Sequence, residues 1–502
     1  MDAIQEPSVT TSEKPKQMAD KGQVPDLLKI GPESLNSEME VLSDILDPVV
    51  FNQHFCRFRL QNKGILHSNS KITFSVDVAA HDDGVSAFAL GVGVMGLIDR
   101  CVLKIGGNTV SECSDFGHFS SYQSTFINPQ HNKQREYVTT GRQMCRKWEY
   151  DDGALAGGTA GSGATVSDTS APKYTLDFGN EINRLNKVVG ARQNDMPREV
   201  QFEKGGGDSK NGTKTSPVFQ ISLNDLFRFM KMNQLALYLF KEDIDIELYF
   251  SDSHIRGITL ANHNANFHIN RDDVKLVADY IFFPQELMTQ YAEANRNMSF
   301  TYVDYRLSKS TIVADGVNPN KIIQNIGGSG RVVNKVMYML SLNRGAADNP
   351  ERTLFNVYTS RGGDVDRTNG NVPSRNMGVL SHNLRYNDEY LYPIDITNRS
   401  RLFSNLAQSH GSNPFISKDE YSGEQDLISA ELVFGRSLSP LASTHFTYVE
   451  DRLNRNQRVN SRGIEIYRTF DSLPAGTYTL RVYLELVKMA VLKDGILTST
   501  FA

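Results

Sequence analysis

Cysteine, tryptophan and long apolar runs are what this sequence has least of. Four cysteines, Cys56, Cys101, Cys113 and Cys145, in 502 residues are too few for a disulfide scaffold. None stands in a Cys-x-x-Cys pair with zinc-ligand spacing, so they read as free thiols of a reducing compartment. The single Trp148 and the 20 tyrosines form no obvious sugar-stacking platform. The longest apolar stretch, Val85 to Ile98, is 14 residues, short of the about 20 that a spanning helix needs. No apolar N-terminal segment resembles a secretion signal. The expectation is a chain that is not secreted and does not insert into a membrane. A dominant charge is missing too. Lys+Arg 53 against Asp+Glu 58 leaves -5, which argues against specific nucleic-acid binding as the main task.

Catalytic constellations are also absent. The glycines from Gly205 to Gly212 suggest a phosphate loop, but Lys214 follows Thr213 rather than Gly212. Asp364-Val-Asp366-Arg-Thr368-Asn369-Gly370 resembles a calcium loop whose glycine comes one position late and which no glutamate closes. His263 and His268 with Asp272 and Asp273 fit no usual metal spacing. There is no His-Glu-x-x-His and no Gly-x-Ser-x-Gly. Asn211, Asn297 and Asn398 begin glycosylation sequons, which in an unsecreted chain are chance matches. No catalytic, cofactor-binding or metal-binding residue is therefore expected, and no cofactor. The chain reads as a structural or binding protein, not an enzyme.

What is present is β patterning. Cys56, Phe58 and Leu60 alternate with Arg57 and Arg59, and Ile72, Phe74, Val76 and Val78 with Thr73, Ser75 and Asp77. Ile244, Ile246, Leu248 and Phe250 oppose Asp243, Asp245, Glu247 and Tyr249. Near the end, Tyr478, Leu480, Val482, Leu484 and Leu486 alternate with Thr479, Arg481, Tyr483 and Glu485. Period two means strands with one buried face. Helical candidates are short: Ser114–Thr125, Asn224–Met232 and Glu286–Ala294. Hydrophobic residues at 39% supply a core, and two all-β units of about 200–250 residues fit the length.

Residues 1–47 differ from the rest, with ten acidic side chains, four lysines and no aromatic residue. Such a segment buries too little apolar surface to offset its ordering entropy. Met39, Leu42, Ile45 and Leu46 fall at helical spacing after Ser37. The expectation is a mobile acidic arm whose end forms a short helix that docks on a neighbour; a plain disordered tail is the alternative. Three long polar excursions, Asp151–Pro172, Glu203–Ser216 and Ser360–Arg375, are candidates for surface towers and subunit contacts.

Three blocks are more specific. Ile221-Ser-Leu-Asn-Asp-Leu-Phe-Arg-Phe-Met230, then Leu235-Ala-Leu-Tyr-Leu-Phe240, then Ile244-Asp-Ile-Glu-Leu-Tyr-Phe250 resembles a strand–helix–strand–strand block of double jelly-roll major capsid proteins. Asp279-Tyr-Ile-Phe-Phe-Pro-Gln-Glu-Leu-Met-Thr-Gln-Tyr291, with the strand from Met298 to Leu307, is similar to the passage in that family from the first barrel through a helix into the second. Tyr478–Leu492 followed by Lys493-Asp-Gly-Ile-Leu-Thr-Ser-Thr-Phe501 is similar to the strand and turn that close the second barrel. The size looks most like the polinton-like virus and virophage members of the lineage that joins bacteriophages, adenoviruses and giant viruses.

The resemblance implies an all-β fold: two consecutive eight-stranded jelly-roll barrels with short helices and long inserted loops. It divides the chain into an arm, 1–47, a first jelly roll, 48–285, a linker helix, 286–297, and a second jelly roll, 298–502. It implies a homotrimer forming a pseudo-hexameric capsomer that tiles the icosahedral shell of a dsDNA virus. Its partners would be neighbouring trimers, penton proteins and minor capsid proteins, and its place the virion, after synthesis in the host cytoplasm or nucleus. Two other functions stay open: a β-sandwich carbohydrate-binding or host-attachment protein, and an enzyme built on a β-sandwich.

Overall fold

Period-two patterning becomes two barrels whose strands pair in the same order. The computed structural model describes residues 39–78, 87–88, 93–126, 139–140, 214–215, 218–232, 235–251, 258–259, 267–315, 317–343, 379–397, 401, 405, 433–438, 458–470 and 476–501. In the first half the strands of four residues or more are β1 (Glu40–Leu46), β2 (Phe55–Leu60), β3 (Lys71–Val78), β4 (Ile98–Ile105), β5 (Asn108–Ser114), β6 (Phe219–Ser222), β7 (Ile244–Phe250) and β8 (Phe267–Phe282). Helix α1 (Phe116–Phe126) follows β5, and the short α2 (Leu223–Leu226) and α3 (Arg228–Met232) follow β6. Helix α4 (Gln285–Ala294) leads into β9 (Asn297–Ala314). After it come β10 (Asn320–Gly327), β11 (Val333–Asn343), β12 (Val379–Tyr386), β13 (Glu389–Tyr390), β14 (Val433–Ser437), β15 (Ile464–Phe470), β16 (Gly476–Lys493) and β17 (Ile496–Phe501).

The first barrel has one sheet in the order β1-β8-β3-β6 and one in the order β2-β7-β4-β5. The second has β9-β16-β11-β14 and β10-β15-β12-β13. Adding eight to each strand number of the first barrel gives the second. All these pairings are antiparallel, and each pair of sheets encloses its own core. Phe58, Phe74, Ile246, Leu248, Leu276 and Tyr280 fill the first; Val336, Tyr338, Leu340, Ile466, Val482 and Leu484 fill the second. The double jelly roll expected from the resemblance is therefore the observed fold.

Local chemistry sets the tight turns. Gly106-Gly107, between β4 and β5, and Asp494-Gly495, between β16 and β17, have positive φ at both residues, as two-residue hairpins matched to strand twist require. A Cβ on Gly495 would also come within 2.7 Å of the Lys241 side chain, so glycine is needed there on two counts. Asn387-Asp388, between β12 and β13, is the same kind of turn built from residues that tolerate left-handed backbone.

Two expectations need correction. Residues 40–46, read as the helical end of an arm, are strand β1, paired with β8 from Glu40↔Phe282 to Leu46↔Leu276. The seven-residue ladder along β8 wins over the helical spacing. The first barrel's sheet thus includes residues 40–46. Second, β16 is not apolar on one face only, because Arg481, Tyr483, Glu485 and Lys488 are as buried as Leu480, Val482 and Leu484. The first barrel covers the face that would otherwise meet water. The helical candidates near 114–125, 224–232 and 286–294 appear as α1, α2 with α3, and α4.

Candidate functional site: the seam between barrels and the open sheet face

Among the described residues, the most informative surface is the seam inside the chain. The outer face of sheet β9-β16-β11-β14 lies on β5, α1 and α3 of the first barrel. Tyr483, Met337 and Met339 belong to the first barrel's apolar cluster, with Tyr305 and Leu307 packed against it. The Phe119 ring of α1 sits 4.4 Å from Tyr305 and 4.8 Å from Tyr483. Phe229 of α3 meets the Tyr302 ring edge-on at 5.1 Å. Offset and edge-on contacts suit aromatic quadrupoles.

Charges are threaded through this seam, each one neutralised. Asp115, between β5 and α1, receives Arg481 Nε and Lys309 Nζ on Oδ2 and His118 Nδ1 on Oδ1, each at 2.7 Å. Burial alone would raise its carboxyl, but His118, Arg481 and Lys309 hold it well below the ordinary carboxylate range. Its position before the first turn of α1 also suits a negative charge. Asp304 of β9 is met by Lys488 Nζ at 2.5 Å, and it accepts from Ser111 Oγ at 3.0 Å and the Glu112 N–H at 3.2 Å. Burial raises this carboxyl despite those partners. Glu485 faces Arg228 of α3 at 3.4 Å and accepts from Tyr305 OH at 3.2 Å. Burial would raise it too, but Arg228 and Lys335 bring it below its usual value.

The hairpin of β16 and β17 closes the seam. Asn108 Nδ2 donates to the Leu497 carbonyl at 3.0 Å, Ser499 Oγ to that of Thr109 at 3.2 Å, and the Leu497 N–H to Glu242 Oε2 at 3.0 Å. The Tyr302 hydroxyl donates to the Val110 carbonyl at 2.7 Å.

Among the described residues, the equivalent face of the first barrel, on β1-β8-β3-β6, is only partly covered, with Thr139 among the residues lining its groove. Val41 and Ile45 on β1 and Val218 before β6 are 54%, 70% and 56% exposed. A groove of about 670 Å³ crosses this face, lined by Met39, Val41, Lys71, Gln220, Ser222 and Ile281 among others. On the second barrel, Tyr390 and Ile394 after β12 are 55% and 75% exposed.

The residues singled out in the sequence are scattered here. His268, Asp272 and Asp273 lie on β8, where Asp273 accepts from Ser75 and Asn270 Nδ2. His263, the calcium-like loop from Asp364, the excursions Asp151–Pro172 and Ser360–Arg375, and most of Glu203–Ser216 lie outside the described residues. Among the described residues no group of three His, Cys, Asp or Glu side chains is arranged to hold a metal ion. Cys56, Cys101 and Cys113 are free and buried. Sequence reasoning missed the seam charges because Arg481 and Glu485 alternate like a solvated face. The available signal was the nearly unbroken apolar stretch from Val482 to Leu492, which suits a strand covered on both sides.

No family model matches the sequence, and no curated protein does. Solved structures do match. The Faustovirus major capsid protein aligns over 94% of this chain and 94% of its own, at 10% identity and a TM-score of 0.54. The chain has the double jelly-roll fold of viral major capsid proteins. A chain in the cryo-EM structure of the Sputnik virophage aligns over 100% of this chain and 93% of its own, at 10% identity and a TM-score of 0.53. Both alignments run through the two barrels, so the double jelly roll is the fold this chain shares with them.

Proposed function

We propose that this chain is a major capsid protein that trimerises into pseudo-hexameric capsomers and tiles an icosahedral virus shell. The observation that carries the reading is the sheet order repeated between the two barrels, in a fold like that of the Faustovirus major capsid protein. Three copies of two similar barrels give six lobes in a near-hexagonal ring, which is the shape that packs a surface without gaps. The buried seam supports the same reading. It fixes the angle between barrels, and a lattice needs that angle to be the same in every copy.

The proposed partners are two further copies in the capsomer, neighbouring capsomers, penton proteins and minor capsid proteins. The proposed location is the virion, following synthesis in the host cytoplasm or nucleus. No enzymatic step belongs to this reading. The test is to express the chain with its virus's penton and minor proteins and image the particles by negative stain. Hexagonal capsomers or closed shells are expected. Isolated particles with no hexagonal outline, under conditions where the chain is folded, would reject it.

A further inference from the structure

Strands β4 and β5 bring two cysteines opposite each other. In the antiparallel ladder that runs from Arg100↔Ser114 to Ile105↔Asn108, Cys101 is the direct partner of Cys113. Direct partners point to one side of a sheet, and both thiols belong to the apolar cluster of the first barrel. The Cα atoms of such partners stand about 4.5 or 5.5 Å apart, according to the kind of pair. Both values lie inside the range of about 4.4–6.8 Å that a disulfide spans. Cys101 Sγ donates to the Leu226 carbonyl at 3.3 Å and lies 3.9 Å from the carbonyl of Cys113. Cys56 is placed differently, since its ladder partners are Phe51 and Leu248. Access separates the two thiols as well. Cys113 lines a crevice with room for about one water molecule, beside Ser111, Gln123, Leu226 and Arg228, whereas Cys101 is fully buried.

We propose that Cys101 and Cys113 are an oxidation site, a latent cross-strand disulfide that hydrogen peroxide closes in the folded chain. The reaction takes two steps. The Cys113 thiol, at the crevice, gives up its proton and its sulfur attacks one peroxide oxygen. The O–O bond breaks, leaving Cys113 as a sulfenic acid and a hydroxide that takes the proton as water. The Cys101 sulfur then attacks the sulfenic sulfur, the S–O bond breaks, and a second water leaves with the Cys101 proton. Each sulfur loses one electron and the peroxide gains both. Burial holds both thiols above their ordinary value, which makes closing slow, because the thiolate is the form that attacks. The crevice admits peroxide and is too small for an alkylating reagent. Once closed, the bond ties β4 to β5 two residues before Asp115. Ser111 and Glu112 of the same strand hold Asp304, so the bond braces the first barrel's side of the seam. The inference does not need the trimer. On the capsid reading it adds a covalent difference between particles in a reducing cell and particles outside it.

The experiment treats the folded full chain with dilute hydrogen peroxide at about pH 8 and stops the reaction with catalase. Remaining thiols are blocked with N-ethylmaleimide in denaturant, and tryptic peptides are mapped without reduction. Trypsin cuts after Arg100, Lys104 and Lys133, so the two cysteines leave in separate peptides, 101–104 and 105–133. These two peptides are expected joined, with the loss of two hydrogens from their summed mass, and Cys56 is expected to carry the maleimide. Two variants test the order of the steps. Cys113→Ser is expected to leave Cys101 reduced, whereas Cys101→Ser is expected to leave Cys113 oxidised to the sulfenic or sulfinic acid. The wild-type map needs neither variant to fold. Recovery of both cysteines as blocked thiols would overturn the inference. So would Cys113 oxidised alone in the wild type, or either cysteine joined to Cys56 or Cys145.

Discussion

Lys488 and Asp304 form one of the seam's buried ion pairs, and its energetics depend on keeping both partners. Removing one member of a buried pair leaves an uncompensated charge and costs about 3–5 kcal/mol. Lys488→Met is therefore expected to lower unfolding stability by that amount in chemical denaturation. Adding Asp304→Leu should recover only part of it, because the Glu112 N–H loses its acceptor. His382 gives a different handle. It is fully buried in the second barrel beside Tyr338 and Tyr392, and burial lowers its pKa from the ordinary 6.5 to about 3. Between those values the unfolded chain binds the proton and the folded chain does not, so stability falls as pH falls through this window. The loss between about pH 7 and about pH 4 is on the order of 3 kcal/mol. Comparing wild type with His382→Gln across that range should show the difference shrinking with acidity; a parallel dependence would refute the assignment. The thiols make a third case. Burial pushes Cys56 up to about 12 and holds Cys101 and Cys113 above their ordinary value. All three are expected to resist alkylation at about pH 8 in the native protein and to react on unfolding, which peptide mapping would read directly.

Strand β1 is the element whose role changes most between sequence and structure. It is the outermost strand of its sheet, joined by its ladder to β8, by Ser43 to Asp279 and by Lys63 to Asp44. Deleting residues 1–47 removes a barrel strand and bares the β8 edge, whereas a chain beginning at Met39 keeps it. The longer deletion is expected to lose both thermal stability and trimers, and the shorter one neither; equal behaviour of the two would contradict the assignment of β1. The sequence made the alternating strands legible, since Ile244, Ile246, Leu248 and Phe250 carry one face by themselves. It also marked α1 and α4, and the turn at Asp494-Gly495. It hid β1, because Val41, Leu42 and Ile45 are exposed and a strand held mainly by its ladder leaves no burial period to read. It hid the seam for the opposite reason. Arg481, Glu485 and Lys488 look like a solvated face until another domain covers them, and that cover is a tertiary fact no local window contains.

At the scale of the molecule, two barrels with one sheet order give a subunit of two similar lobes, which is what a near-hexagonal trimer needs. The seam is rigid by construction: aromatic rings, three ion-paired carboxylates and the final hairpin all bind the barrels to each other. A ring of three such subunits needs only one further kind of contact, a heterologous one, to close. The central claim is thus the closed trimer, and the measurement that tests it most directly is the mass of the purified chain in solution by light scattering, followed by negative-stain imaging of the same fraction. The account predicts a single species at three times 56.1 kDa with a hexagonal outline. A monodisperse folded monomer, or a symmetric dimer, would contradict it.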